Sequence, residues 1–442
     1  MTYSALVRNK DAPQGDAAPP QPGAPEQAFG NRWAIVAGLL VWMYSGNPII
    51  TGSPYYQGWL IAGFVVQVGL CFRPVPPPRR AVVLLVVTIM FVLWTLLATT
   101  AGISGQFTGL TGQLLKIGIV LLPMMYLRDP GRALVDAMAL ICLYSIPIYG
   151  IRQLGRAVGF DIADLFSTVY PLTNVSPDRT IFIFNFDVAE EIGRNSGPFR
   201  EPGIYAANVV IAALLLMSNA VPMEKHAIRL RLALFALALL TTRSTMGFAT
   251  VPFLGILALR FLVVDRAQRL LLVPLLLIGV AGAAYGLGLS QANKVDHQIE
   301  TVQQHKNTWY NTRFGNAYID YVAIKARPLL GYGFSEDGRP HVWAARENAG
   351  ELGLGNGLTG TAVKFGVLFT GLLLALYLAC FLTSLSTVAL ALCAWFVLII
   401  LLFSQQLLLL PAGFLLLGDF FTAAHTRRPS VRQSPAKSEA AT

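Results

Sequence analysis

Between residues 33 and 421 the chain is a succession of apolar stretches, and two long polar segments, 152–202 and 290–355, interrupt it. A helix needs roughly 20 mostly apolar residues to cross the hydrocarbon core of a bilayer. About twelve stretches answer that description. Hydrophobic residues make up 55% of the chain and charged residues 13%, with a mean hydropathy of +0.57. A soluble domain carries nearer about 25% charged residues. The expected fold class is therefore an all-α polytopic membrane protein, with about 12 transmembrane helices and two long outer loops.

The net charge of +10 is explained by where the cations sit, not by affinity for nucleic acid. Counting spans in order, one set of short loops holds Arg73, Arg79 and Arg80, then Arg128 and Arg132. Lys225, Arg229 and Arg231 follow, then Arg260, Arg266 and Arg269, then Arg427 and Arg428. The acids of that set are few: Asp129, Glu224 and Asp265. Short loops rich in Lys and Arg stay in the cytoplasm. Both termini are expected there and both long segments on the outer side. Residues 1–31 and 425–442 are Pro-, Ala- and Ser-rich, bury no core and are expected to be disordered. No cleavable signal peptide is visible. Cys71, Cys142, Cys380 and Cys393 all fall in apolar stretches, which predicts buried small side chains and no disulfide framework.

The expected spans are 33–50, 55–72, 81–100, 111–127, 133–151 and 203–221. The apolar run 229–262 is broken by TTRSTMG and reads as two short helices with Arg243 at an outer turn. One continuous helix would bury Arg243 and reverse the topology that the basic loops require. The remaining spans are 270–289, 356–378, 382–402 and 405–421. No internal repeat is visible, which weighs against many secondary transporters.

Chemistry has to come from the polar segments and the helix ends beside them. The first segment closes in GRNSGPFREPGIYAANVV, which sets Arg194, Arg200 and Glu201 directly above a span. Gly197, Pro198, Pro202 and Gly203 bend the backbone there. A guanidinium fork suits phosphate; an interfacial charge cluster is the plainer alternative. Arg243 sits at a break where a cation needs a partner or an aqueous cavity, with Ser244 and Thr245 as candidate caps. A snorkelling outer-turn Arg is its alternative. Arg313 opens a stretch with Phe314, Ala317, Tyr318, Tyr321, Val322 and Ile324 at helical spacing, expected to lie on the membrane surface. His341 follows in the turn-rich RPLLGYGFSEDGRPH and is a candidate general base, against the alternative of a solvated loop residue. Lys116 and Lys364 lie within a turn or two of outer helix ends. Snorkelling is the default for both, with Lys364 a candidate for lining a polar cavity. No acidic triad, DxD pair or Walker motif is present, so neither a metal nor ATP is called for. No cofactor is expected.

In order, RNSGPFREPG, TTRSTMG, the Arg-aromatic helix, PLLGYGF and NGLTGTAVKFG resemble the O-antigen ligase/polymerase superfamily of bacterial inner-membrane glycosyltransferases, over roughly residues 181–371. The resemblance implies transfer of a glycan from undecaprenyl diphosphate to an acceptor hydroxyl at the periplasmic face, without a metal. Arg200, Arg243 and Arg313, with Arg194 beside them, are then the candidate diphosphate ligands, and His341 or Glu201 the acceptor of the hydroxyl proton. A ligase typically shows a His–Asn pair in its late outer loop. His341 is followed by VWAARENAGELGLGN, with no adjacent Asn, which favours a polymerase of repeat units. Implied partners are the undecaprenyl-diphosphate-linked oligosaccharide, the bilayer, and a chain-length regulator and flippase of the same pathway. The alternatives are an O-antigen ligase acting on lipid A-core, a lipid-linked oligosaccharide transporter or flippase, and a non-catalytic scaffold.

Overall fold

The computed structural model describes residues 25–51, 53, 55–71, 81–102, 106–127, 129–166, 180–186, 193–218, 223–262, 313–334, 357–405 and 407–417. The described residues are helical apart from turns and one pair of two-residue strands. Three of the helices are long and apolar enough to cross a membrane: Gln106–Tyr126, Pro130–Ala157 and Gly357–Ser384. Six further apolar helical runs have 10–17 residues, against the roughly 20 that a crossing asks for. The expected span at 270–289 lies outside the described residues.

The elements in chain order are α1 (Pro25–Met43), α2 (Pro48–Thr51), α3 (Tyr56–Cys71), α4 (Ala81–Thr100), α5 (Gln106–Tyr126) and α6 (Pro130–Ala157). Strands β1 (Thr180–Ile181) and β2 (Phe184–Asn185) pair antiparallel, Ile181 opposite Phe184. Then come α7 (Pro202–Met217), α8 (Lys225–Thr242), α9 (Thr245–Leu262), α10 (Arg313–Ala326), α11 (Gly357–Ser384) and α12 (Val388–Ser404). Residues 411–417 are helical as well (α13).

The bundle is organised around α7. Its sequence PGIYAANVVIAALLLM is apolar on all sides, the pattern of a helix surrounded by protein. Every residue of it except Ile204 is buried. It packs against α6, α8 and α9, and α12 reaches it as well. Small residues bring other backbones close: a Cβ on Gly38 of α1 would stand 2.9 Å from the Ala133 carbonyl oxygen of α6. Trp42 Nε1 donates to the Leu134 carbonyl in the same contact, at 2.9 Å. On α4 one stripe (Leu84, Val87, Phe91) is buried while Leu85, Val86, Ile89, Leu93 and Leu96 are exposed, an apolar outer face suited to lipid.

Several boundaries depart from the sequence reading. The first span ends at Met43, because Tyr44–Gly46 form a turn and Asn47 starts the separate α2. Helix α1 itself begins at Pro25, inside the stretch expected to be disordered. Within the expected span 405–421, the described residues form a 3-10 turn at Leu407–Leu409 followed by α13. Helix α6 runs on to Ala157, about 42 Å at the usual rise, which is longer than the about 30 Å thickness of a hydrocarbon core. The break at TTRSTMG is as expected: α8 ends at Thr242, α9 starts at Thr245 and Arg243 forms the corner. All four cysteines are free; Cys71, Cys142 and Cys380 are buried and Cys393 is half-buried.

Helix α11 carries an unexpected break. Gly366 takes φ 76° and ψ 166° in its middle, which removes normal helical hydrogen bonds around it. The turn 328–334 supplies replacements. Tyr332 N donates to the Val363 carbonyl at 2.9 Å, Gly333 N to the Lys364 carbonyl, and Val367 N to the Pro328 carbonyl at 2.8 Å. A Cβ at Gly366 would collide with the Leu329 carbonyl, so glycine is required for the fit as well as for the dihedral.

Candidate functional site

The segment 193–201 is held by backbone and amide hydrogen bonds from three directions. Asn47 Nδ2 donates to the carbonyls of Phe182 and Pro198, each at 2.9 Å. Asn185 Nδ2 donates to the carbonyls of Phe199 and Arg200, at 3.1 and 3.0 Å. Arg200 N donates to the Gly46 carbonyl at 2.8 Å. That last bond explains why the first span stops early: its final turn is opened to receive the segment.

Within the segment, Gly197 takes φ +53° above the Tyr205 ring, where a Cβ would stand at 3.3 Å. Phe199 is fully buried and stacks on Tyr205, ring centroids 5.5 Å apart. With Phe199 anchored, the next two side chains, Arg200 and Glu201, are exposed at the start of α7. Glu201 occupies the N-cap position and makes no side-chain capping hydrogen bond.

The same segment reaches the α8–α9 corner. Asn195 N donates to the Thr241 carbonyl at 3.1 Å and Asn195 Nδ2 to Thr241 Oγ1 at 2.9 Å. Arg194 Nε donates to the Thr242 carbonyl and Arg194 Nη2 to the Arg243 carbonyl, both at 3.3 Å. The fork of Arg194 thus grips the carbonyls that the end of α8 leaves without helical partners. Arg243 is exposed with φ 48° and ψ 34°, the left-handed conformation. Among the described residues it is the one non-glycine with a positive φ.

The structure therefore brings Arg194, Arg200, Glu201 and Arg243 to one end of the bundle. Arg313 is the first residue of α10, and the expected amphipathic helix is present there. Asp320 of α10 accepts a hydrogen bond from Thr359 of α11, so the helix is docked on the broken helix. His341 lies outside the described residues. Among the described residues no group of three or more His, Cys, Asp or Glu comes together that could hold a metal.

Next to the segment, the end of α6 carries an ion-pair cluster. Asp161 accepts from Arg152 Nε at 3.2 Å and from Arg156 Nε at 3.0 Å, and from the Ala163 backbone at 3.0 Å. Burial pushes the Asp161 carboxyl up, but the Ala163 N–H and the two guanidiniums outweigh it and hold the group below its ordinary value. Arg152 also lies over the Phe186 ring, at 5.6 Å.

Sequence reasoning missed Asn47, Asn185 and Asn195. These three amides do the positioning, and each is a lone polar residue that no spacing rule singles out. It also missed the seat of the PLLGYGF turn on Gly366. The glycine of VKFG was the available signal. No family model, no curated protein and no solved structure matches the chain.

Proposed function

We propose that this protein is a membrane glycosyltransferase that polymerises undecaprenyl-diphosphate-linked oligosaccharide repeat units at the periplasmic face of the bacterial inner membrane, without a metal. In this reading about twelve spans cross the membrane, both termini are cytoplasmic and the cluster of Arg194, Arg200, Glu201 and Arg243 is periplasmic. The acceptor hydroxyl attacks the anomeric carbon of the donor sugar. The bond from that carbon to the diphosphate oxygen breaks, the electron pair leaves with the diphosphate, and the hydroxyl proton passes to Glu201 or His341. Arg200, Arg243 and Arg313 neutralise the charge that develops on the leaving group.

The observation that carries the reading is the conformation of Arg243. A left-handed residue other than glycine costs about 1–2 kcal/mol. Glycine would form the same corner without that cost. A strained residue kept at a corner points to a use for its side chain, and this one is an exposed guanidinium at the end of the bundle that also carries the exposed Arg200 and Glu201. Arg194 supports it by holding the corner's carbonyls.

The test is the glycan made by a deletion strain complemented with wild-type, Arg243→Ala or Arg313→Ala protein, sized by gel and mass spectrometry. Loss of long polymer, with single repeat units on the lipid carrier, supports the polymerase. Full-length polymer retained on the carrier and absent from lipid A-core means a ligase. Repeat units trapped on the cytoplasmic leaflet mean transport. Wild-type chain length in both variants removes the proposed role of the arginines.

A further inference from the structure

The β1–β2 hairpin falls in a segment that composition assigns to water, yet its tip is apolar. The two turn residues are Phe182 and Ile183, 44% and 52% exposed. Two-residue hairpin turns favour Asn, Asp and Gly, whose polar groups and permissive backbones suit an aqueous corner. The hairpin is also level with the spans, not above them. Asn47, within the expected span 33–50, donates its amide to the Phe182 carbonyl at 2.9 Å. Phe184 and Phe186 are buried with Ala163 against Ile148 and Tyr149 of α6, within the expected span 133–151.

Backbone groups of the hairpin are taken by other parts of the protein. The Phe182 carbonyl accepts from Asn47, Asn185 N donates to the Gly197 carbonyl at 2.7 Å, and the Asn185 carbonyl accepts from Ser196 Oγ at 3.2 Å. Backbone at membrane depth needs such partners, because hydrocarbon offers none. Helix α6, on which the hairpin packs, is apolar along one side to its end. Leu140, Leu143, Pro147, Ile151, Leu154 and Val158 are exposed at intervals of three and four residues, which makes one stripe at 3.6 residues per turn. The stripe continues past residue 151 to Leu154 and Val158, 71% and 81% exposed. Arg152 and Arg156 lie on the opposite side of the helix and pair with Asp161. A helix end in water presents its cations and buries its leucine; this one does the reverse.

We infer that the tip of the β1–β2 hairpin and the last turns of α6 are seated in the lipid leaflet on the side of the arginine cluster, as an anchor that holds the segment 193–201 at the membrane surface. The about 42 Å of α6 match the about 40–45 Å of a bilayer with its headgroup layers. The bonds from Asn185 to Gly197 and from Ser196 to Asn185 tie the anchor to the segment that carries Arg194, Arg200 and Glu201. A substrate borne by a membrane lipid then meets those side chains without leaving its leaflet. That consequence, and calling the leaflet outer, rest on the proposed function; the seating in lipid does not.

The experiment is site-directed spin labelling of the full chain in phospholipid nanodiscs. Ile183→Cys and Leu154→Cys carry the nitroxide. Ile89→Cys on the exposed face of α4 is the lipid reference, and His226→Cys at the start of α8 is the aqueous one. The wild-type chain, whose four cysteines are buried or half-buried, sets the background. Oxygen concentrates in lipid and a nickel chelate stays in water, so the ratio of their collision rates reports the surroundings of each label. At both test positions the ratio is expected several-fold above that at His226 and close to that at Ile89. An aqueous ratio at either position overturns the inference. So do low collision rates with both probes that rise when each disc holds a single chain, because a second copy then covers the face. Ile183→Trp is the second variant, read in brominated phospholipid: quenching stronger than in wild type supports the seating, and equal quenching overturns it. No readout involves glycosyl transfer, so an aqueous hairpin leaves the polymerase reading standing, and wild-type chain length in the arginine variants leaves the anchor standing.

Discussion

Arg194 Nη2 donates to the backbone carbonyl of Arg243 at 3.3 Å, across a sequence separation of 49 residues. One arginine therefore fixes the backbone from which the other projects. The two have different roles, although sequence alone groups them as equivalent phosphate ligands.

For Arg243 this predicts a separation of stability from activity. Arg243→Gly relieves about 1 kcal/mol of left-handed strain, so the purified protein should melt at or above the wild-type temperature. Long polymer should nevertheless be lost. Arg243→Lys should also be poorly active, since a point charge does not reproduce a bidentate grip. An active Arg243→Gly protein would show that the strain has no connection with function.

Arg194→Ala is expected to behave in the opposite way. Two hydrogen bonds from a charged donor are lost, which should lower stability by about 1–3 kcal/mol. Chain length should shorten in proportion as the corner loosens. A protein of unchanged melting temperature and no polymer would place Arg194 on the ligand instead.

Asp161 sets a limit on acid stability. Its carboxyl is held below the ordinary value in the folded state. The stabilisation is therefore complete above the ordinary carboxylate pKa and is lost as pH falls through the lower folded value. Melting temperature measured from neutral into acid should fall along that limb, and Asp161→Asn should start lower at neutral pH and flatten it. An identical acid limb in the variant would assign the pH dependence to other groups.

Gly366→Ala tests the seat of the 328–334 turn. The substitution adds a Cβ against the Leu329 carbonyl at φ 76°, and the cost should be about 2 kcal/mol or more. Proteolysis between α10 and α11 should become faster. An Ala variant with wild-type melting and protease resistance would mean that the turn is not held by this break.

What the sequence determined by itself follows from composition and local chemistry. The length of apolar runs such as 203–217 predicts helices, because an unpaired backbone is costly in an apolar environment. The Thr-Thr-Arg-Ser-Thr run interrupts one such stretch, so the corner at Arg243 was legible. So was the amphipathic helix that Arg313 begins. What only the tertiary structure decided are the contacts between residues far apart in the chain. The first span closes early because the Gly46 carbonyl accepts from Arg200 N, and the Asn47 amide beside it serves Phe182 and Pro198. Gly366 breaks α11 because a turn more than thirty residues earlier supplies the hydrogen bonds. Lys116 places its Nζ over the ring of Tyr56, on another helix. Periodicity reports which face of a helix is apolar. It carries no information on which distant carbonyl an asparagine will reach, because that depends on how the helices pack.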